Sequence, residues 1–381
     1  MRRRYALKRV ALILLLAMLL LAFSSCGAEG GREYAVDDYR TTMEFHDNFR
    51  ILQLTDLHLG IESDLEEQLN LVRETIRAEA PDLIVLTGDN FMYASKDVVR
   101  RLMETLNEEC RLQTEAHPER LTKFAVTYGN HDNQGNYGRY FINETVLSFA
   151  TEDGKEVEEG KYAAFLDYED DNLFGLTNYF IDLVDNRTAP KDEQDVIYRL
   201  HIVDSNTYYF AGFKYKYDVI HEEQLAHVER IYETATKDKE YIGLCFFHIP
   251  FMEYADAKEQ YESAEDPSLV GQGRFGERVL PPYENNGTYR AMRSAGVIGF
   301  FAGHNHKNYG DVLYTGEEGE LSILSNGVKS TDQLYHFDDM IGYKVICLRE
   351  GMTAESFLTI ENINENFKNV TAGNDYYEDH E

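Results

Sequence analysis

Five apolar runs in this chain each stop abruptly at a short polar block. Residues 49–54 run into Asp56-Leu57-His58, and residues 83–86 into Gly88-Asp89-Asn90. Residues 123–127 lead to Gly129-Asn130-His131-Asp132, residues 242–247 to His248, and residues 297–301 to Gly303-His304-Asn305-His306. Short continuous apolar runs of this kind mark strands buried on both faces. Leu65, Leu69, Val72 and Ile76 recur at helical spacing before Pro81. Val98, Leu102 and Leu106 mark a second helix. A strand–helix–strand–helix–strand start specifies an α/β sheet with crossover helices. In such a sheet the side chains that follow the strands can converge on one edge.

The polar blocks hold the residue types of a paired metal centre. Asp56 and His58 are two apart, which puts both side chains on one side of an extended chain. The Asp89 carboxylate has two oxygens and can bridge two cations. Asn130 offers an amide oxygen, and His248, His304 and His306 offer imidazole nitrogens. Nitrogen and oxygen donors without thiolate suit Mn, Fe, Zn, Co or Ni and leave the identity open. Two such ions can clamp a phosphoryl group and generate a nucleophile from water. His131 sits between Asn130 and Asp132. It is read as a proton donor to the leaving group, oriented by the Asp132 carboxylate. Each block alone has a plainer account: an exposed Asp-x-His, a Gly-Asp-Asn turn, a satisfied core histidine. Occurring together and in order, they are read as one dinuclear site. His46, His117, His201, His221, His227, His336 and His380 fall outside the blocks and are read as surface or packing residues.

The formal net charge of -31 disfavours nucleic acid and anionic membrane surfaces as partners. Arg2, Arg3, Arg4, Lys8 and Arg9 precede an apolar stretch over residues 10–23, then Ser24, Ser25 and Cys26. Residues 1–25 are read as a signal peptide of the lipoprotein type, with Cys26 as the lipidated residue. The expected location is the outer face of the cell membrane through that lipid anchor, or otherwise the secreted fraction. The expected layout continues with a tether over 26–45, one catalytic domain over 46–362 and an acidic tail over 363–381. Cys110, Cys245 and Cys347 are read as buried thiols, with one bridge left open. Residues 150–172 are read as a surface excursion. Strands are expected at 178–184 and 198–203, and a helix at 222–234. Residues 250–287 show no period and are a candidate substrate lid. There Arg274 and Arg278 are candidate phosphate contacts, against their being ordinary surface arginines. The 27 tyrosines are scattered and define no aromatic platform by composition.

The ordered blocks resemble those of calcineurin-like metallophosphoesterases over roughly residues 48–330. That resemblance implies two mixed β-sheets flanked by helices, a four-layer sandwich with a dinuclear site at one sheet edge. It implies that Asp56, His58, Asp89 and His306 hold one metal, and Asp89, Asn130, His248 and His304 the other. It further implies a metal-bridging hydroxide as nucleophile, His131 as general acid, and Asp132 as its orienting partner. Residues 49–56, Phe247-His248-Ile249-Pro250 and the stretch from Gly271 to Gly276 are similar to the purple acid phosphatase-like branch. Purple members place a metal-bound Tyr three residues after the bridging Asp, where this chain has Met92. A tyrosinate-bound ferric site is therefore not expected. The leading expectation is hydrolysis of small phosphomonoesters. A phosphodiesterase on the same site, a pyrophosphohydrolase acting on nucleotide-linked lipids, and a non-catalytic surface binding lipoprotein remain as alternatives.

Overall fold

The computed structural model describes residues 35–363, apart from 62–63, 136, 151–159, 167–172, 186–188, 191–193, 213, 236–240, 338 and 360. The expected signal peptide, Cys26 and the tail beyond residue 363 lie outside the described residues.

The chain opens with β1 (Arg40–Glu44), then β2 (Phe49–Leu54), α1 (Leu65–Glu79), β3 (Leu83–Thr87), α2 (Lys96–Ala116) and β4 (Lys123–Thr127). It continues with α3 (Gly138–Leu147), β5 (Asn178–Val184), β6 (Val196–Val203), β7 (Tyr208–Ala211), β8 (Lys214–Tyr217) and α4 (Glu222–Ala235). Next come β9 (Ile242–Phe246), α5 (Glu253–Ser263), β10 (Gly271–Phe275), α6 (Thr288–Ser294) and β11 (Val297–Ala302). Last are β12 (Asn308–Thr315), β13 (Leu321–Asn326), β14 (Tyr343–Leu348) and β15 (Glu361–Ile363). Local signals set the helix limits. Asp64 caps α1 by accepting from the Glu66 N–H at 3.0 Å, and Ala80 ends it in the left-handed region just before Pro81. Ser95 caps α2 by accepting from the Val98 N–H.

Two mixed sheets result. One runs β15-β14-β2-β3-β4, with β2, β3 and β4 parallel. The other runs β1-β5-β6-β9-β11-β13-β12-β10, with β6, β9, β11 and β13 parallel. Alternation along the central strands shows how the layers stack. Leu244, Phe246, Phe301 and Ile323 join one core with Ile51, Leu83 and Val85 of the other sheet and with Val72 and Leu102 of α1 and α2. Their neighbours Cys245, Phe247, Phe300 and Leu324 join a second core with Val228, Tyr254 and Met292 of α4, α5 and α6. The order is therefore helices, sheet, sheet, helices. That is the four-layer α/β sandwich expected from the resemblance.

Three expectations need correction. Residues 36–44, expected within the tether, belong to the fold. Val36–Tyr39 is a 3-10 turn, and β1 pairs in parallel with β5. What holds β1 is an ion-pair network rather than an apolar stripe. Arg40 and Arg199 both pair with buried Asp182 at 2.7 Å. Nor are residues 250–287 a structureless lid. They contain α5 and β10, and β10 pairs antiparallel with β12. Gly271 and Gly273 conceal that strand from any propensity argument. Finally, Tyr162 to Leu166, inside the presumed surface excursion, are buried, and Ala163 bridges to Phe124 and Ala150. Cys110 and Cys245 are buried thiols outside any disulfide, and half-buried Cys347 accepts from the Arg50 guanidinium at 3.7 Å.

Candidate metal centre

The loops after β2, β3, β9 and β11 meet because each continues the ladder of its strand. The Asp56 N–H donates to the Gly88 carbonyl at 3.1 Å, and the His58 N–H to the Asp89 carbonyl at 2.9 Å. The Gly303 N–H donates to the His248 carbonyl at 3.0 Å. The chain bends sharply there. Asp56, His58, Asp89 and His304 take φ of 54, 47, 49 and 74°. A non-glycine residue held so costs on the order of 1–3 kcal/mol. Four of them gathered where the two sheets' strand ends meet are a concentration of strain. Gly129 has no room for a Cβ, which would strike the Asp89 carboxylate, so the Asn130 block can close only on glycine.

Two groups of donor atoms result: Asp56, His58 and His306, and Asp89, His248 and His304. In the first, His58 Nε2 lies 2.9 Å from His306 Nε2, and Asp56 Oδ1 lies 3.4 Å from His306 and 3.7 Å from His58. In the second, His248 Nε2 lies 3.1 Å from Asp89 Oδ2 and 3.3 Å from His304 Nδ1. Metal–ligand bonds of about 2.1 Å leave adjacent donors roughly 3.0–3.4 Å apart, so the spacing fits one ion per group. Asp89 Oδ2 is also 3.8 Å from His58 Nε2, which places it between the groups.

Neighbouring contacts aim the donors. His248 Nδ1 donates to the Thr87 carbonyl at 2.9 Å, and His306 Nδ1 to the Tyr335 carbonyl at 3.1 Å. In both rings this leaves the Nε2 lone pair for the centre. Asn130 Nδ2 donates to the Tyr208 hydroxyl at 2.8 Å, which turns Asn130 Oδ1 inward. That oxygen is buried without a partner, as is Asp56 Oδ1. Orphaned buried oxygens are costly unless something binds them.

The electrostatics agree. Burial opposes ionisation of Asp56, yet His306 and His58 hold its carboxyl well below the usual range. Burial likewise opposes ionisation of Asp89, and His248 and His131 outweigh it, again depressing the carboxyl. Burial pushes His304 down to about 3 and His306 down to about 4, the neutral form a ligand requires. His248 is the exception. Burial lowers it, but the Asp89 carboxylate prevails and raises it to about 9. Two buried carboxylates demand a compensating positive charge, and a divalent cation bound between them would displace that proton.

Six of the seven expected ligands come together in these two groups, where the strand ends of the two sheets meet, and Asn130 and His131 follow in the loop after β4. The His131 side chain is 23% exposed, while those of the two donor groups are at most 5%. The role given to Asp132 fails. His131–Asn133 form a 3-10 turn that points Asp132 back into the loop. Its carboxylate accepts from the Gly129 N–H at 2.8 Å and the Phe91 N–H at 2.9 Å, with Asn90 at 3.4 Å. His131 Nδ1 has no partner. Asp132 therefore holds the metal-binding loop rather than the imidazole. Asp132→Ala is expected to cost about 2–4 kcal/mol of stability, read from the denaturant midpoint, because it orphans buried donors. An unchanged midpoint would return Asp132 to a purely catalytic role. Arg274 is engaged elsewhere, ion-paired with Asp339 at 3.1 Å and stacked on Phe337. Arg278 offers its backbone carbonyl to Asn305 Nδ2 at 3.2 Å.

Three contributors lie outside the motif blocks. Lys329, fully buried, donates to the Asp56 carbonyl at 2.7 Å, and burial brings its pKa down to about 8. Tyr208 fixes Asn130, and the Tyr217 ring stands edge-on to His304 at 4.3 Å. The sequence signal for Tyr217 is the alternation of aromatics and lysines over 213–217; Tyr208 has none.

The model of the calcineurin-like phosphoesterase family matches residues 49–308. Phosphatase DCR2 of Saccharomyces cerevisiae is 28% identical over 277 residues, covering 68% of this chain and 44% of that protein. The chain thus spans less than half the length of that relative. Probable inactive purple acid phosphatase 14 of Arabidopsis thaliana is 25% identical over 337 residues, covering 81% of this chain and 76% of the relative. Among solved structures, GAP50, the anchor in the inner membrane complex of Plasmodium, aligns at 15% identity with a TM-score of 0.40. That alignment covers 79% of this chain and 81% of that one.

Proposed function

The chain belongs to the calcineurin-like phosphoesterase family, and on that premise we propose that it is a dinuclear-metal hydrolase of small phosphomonoesters. The observation that carries this reading is the pairing of two buried donor groups with one more accessible histidine where the strand ends of the two sheets meet. When bound, the metal pair supplies charge for the phosphoryl oxygens and a nucleophile derived from water. Asp56, His58 and His306 would hold one ion, His248, His304 and Asn130 the other, with Asp89 shared. The backbone N–H of His131 donates to Asp89 Oδ1 at 2.7 Å, so the residue that binds also positions the proton donor. The His131 ring, open to solvent on one side, is placed to give a proton to the departing oxygen.

Some relatives carry "probable inactive" in their names. Here every ligand position holds a ligating residue type, which supports turnover rather than a binding role. The test compares p-nitrophenyl phosphate with bis-p-nitrophenyl phosphate on the metal-loaded protein. Faster turnover of the monoester is expected. A preference for the diester would move the assignment to a phosphodiesterase. The basic and apolar start of the chain and Cys26 support export as a surface lipoprotein. Labelled palmitate should enter the protein in its own host and be lost in Cys26→Ala; labelling that persists in that variant would exclude Cys26 as the anchor.

A further inference from the structure

We propose that the β7–β8 hairpin is a stacking platform for the organic group of the substrate, and that this group carries a planar ring. The inference rests on the phosphoesterase reading and names the substrate class for that same site. The register pairs Tyr208 with Tyr217 and Phe210 with Tyr215. Residues two apart on a strand share a face, so these four aromatics form one side of the hairpin. Tyr209, paired with Lys216, lies on the other side.

The aromatic face starts at the metal centre and runs outward. At its inner end the Tyr208 hydroxyl holds the Asn130 amide at 2.8 Å, and Tyr217 stands against His304. Tyr208 and Tyr217 stack with centroids 5.7 Å apart. Tyr208 and Tyr215 follow at 6.2 Å, then Tyr215 and Phe210 at 5.1 Å. Exposure rises along the same line. Tyr208 and Tyr217 are half-buried, whereas Phe210 is 57% exposed and Tyr215 73%. Exposed aromatics grouped in this way mark a contact surface.

The hairpin is also braced from behind. An isolated two-stranded hairpin is marginal in water. Here Tyr209 stacks on Tyr283 at 4.4 Å, and the Tyr283 N–H donates to the Tyr217 carbonyl at 2.9 Å. The free face is thus held ready rather than formed on binding. The four rings on that face present π surface and phenol oxygens, with no charged side chain among them. That chemistry suits a flat ring of an aryl or heterocyclic phosphoester better than a small aliphatic or anionic alcohol.

The test uses the full metal-loaded chain and the ratio of kcat/KM for 1-naphthyl phosphate to that for glycerol phosphate. The wild type should favour the aryl ester. In the double variant Phe210→Ala, Tyr215→Ala the ratio should fall about tenfold or more, the effect of a lost stacked ring. Exchanging the two side chains, Phe210→Tyr with Tyr215→Phe, should restore it. No aryl preference in the wild type, or equal losses on both esters, overturns the proposal. If no ester is turned over, the hydrolase reading fails by itself, and the platform is judged by calorimetry. Phenylphosphonate should then bind more tightly than methylphosphonate, and only while the two rings are present. Binding to phosphatidylglycerol–phosphatidylcholine vesicles that the double variant abolishes, with the ligand ratio unmoved, would reassign the hairpin to a membrane contact and overturn the proposal.

Discussion

Asp89→Asn is expected to lower kcat/KM on p-nitrophenyl phosphate by about a thousandfold or more and to leave fewer than two metal ions per chain. The estimate follows from the loss of several kcal/mol of charge stabilisation, at about 1.4 kcal/mol for each tenfold. Asp89 Oδ2 is 3.1 Å from His248 Nε2, 3.8 Å from His58 Nε2 and 3.9 Å from His131 Nε2. The other carboxylate, Asp56, lies beside the imidazoles of its own group and reaches the second group only at the His304 backbone N–H, 3.0 Å away. Asparagine keeps the shape and one oxygen, so the His131 N–H bond to Oδ1 can persist. What it removes is the charge and the second ligating oxygen. The metal-free variant should be less stable at neutral pH than the metal-free wild type, because the substitution removes one partner of the buried Asp89–His248 pair. Metal content by mass spectrometry, turnover and thermal melting together separate these effects. Two retained ions with activity within tenfold of wild type would remove Asp89 from the bridging position.

His131→Ala should behave differently. Metal content should remain at two ions per chain, while kcat on alkyl phosphates falls by about 10²–10⁴-fold. On p-nitrophenyl phosphate the loss should be much smaller. A nitrophenolate leaves without a proton, whereas an alkoxide does not. The basis is position. The His131 ring stays partly open to solvent beside the buried donors, with its Nδ1 unpartnered. The diagnostic is the slope of rate against leaving-group basicity, which should steepen in the variant. An equal loss on good and poor leaving groups would indicate that His131 binds phosphate or shapes the site, without giving a proton.

The site was legible in the sequence because its strands are buried on both faces. Such strands read as unbroken apolar runs, so the polar block after each one stands out. The candidate ligands and an α/β sheet follow from those blocks and their order, and the four-layer sandwich follows from the family resemblance the blocks carry. What escaped has specific causes. β1 is held by Arg40 on Asp182, 142 residues away, and no local pattern announces such a pair. β10 is hidden by its glycines, and α5 buries only Tyr254 and Ala257, too narrow a stripe to show a helical period. Asp132 lies next to His131 in sequence, but backbone direction within a 3-10 turn decides where a side chain points. Adjacency suggested a partner, and the turn supplied a different one. The tyrosines read as scattered, because the aromatic–lysine alternation covers only 213–217 and its meaning depends on Asn130 and His304 lying against the hairpin.

The central claim is that this site, between the strand ends of the two sheets, binds two ions and uses them. It is tested most directly by stripping the protein of metal and titrating back Mn, Fe, Zn, Co or Ni, while counting bound ions and following p-nitrophenyl phosphate turnover. The expected result is saturation at two ions per chain for at least one metal, with turnover rising as the second ion binds. Saturation below two for every metal, or two bound ions with no turnover of any phosphoester, would contradict it.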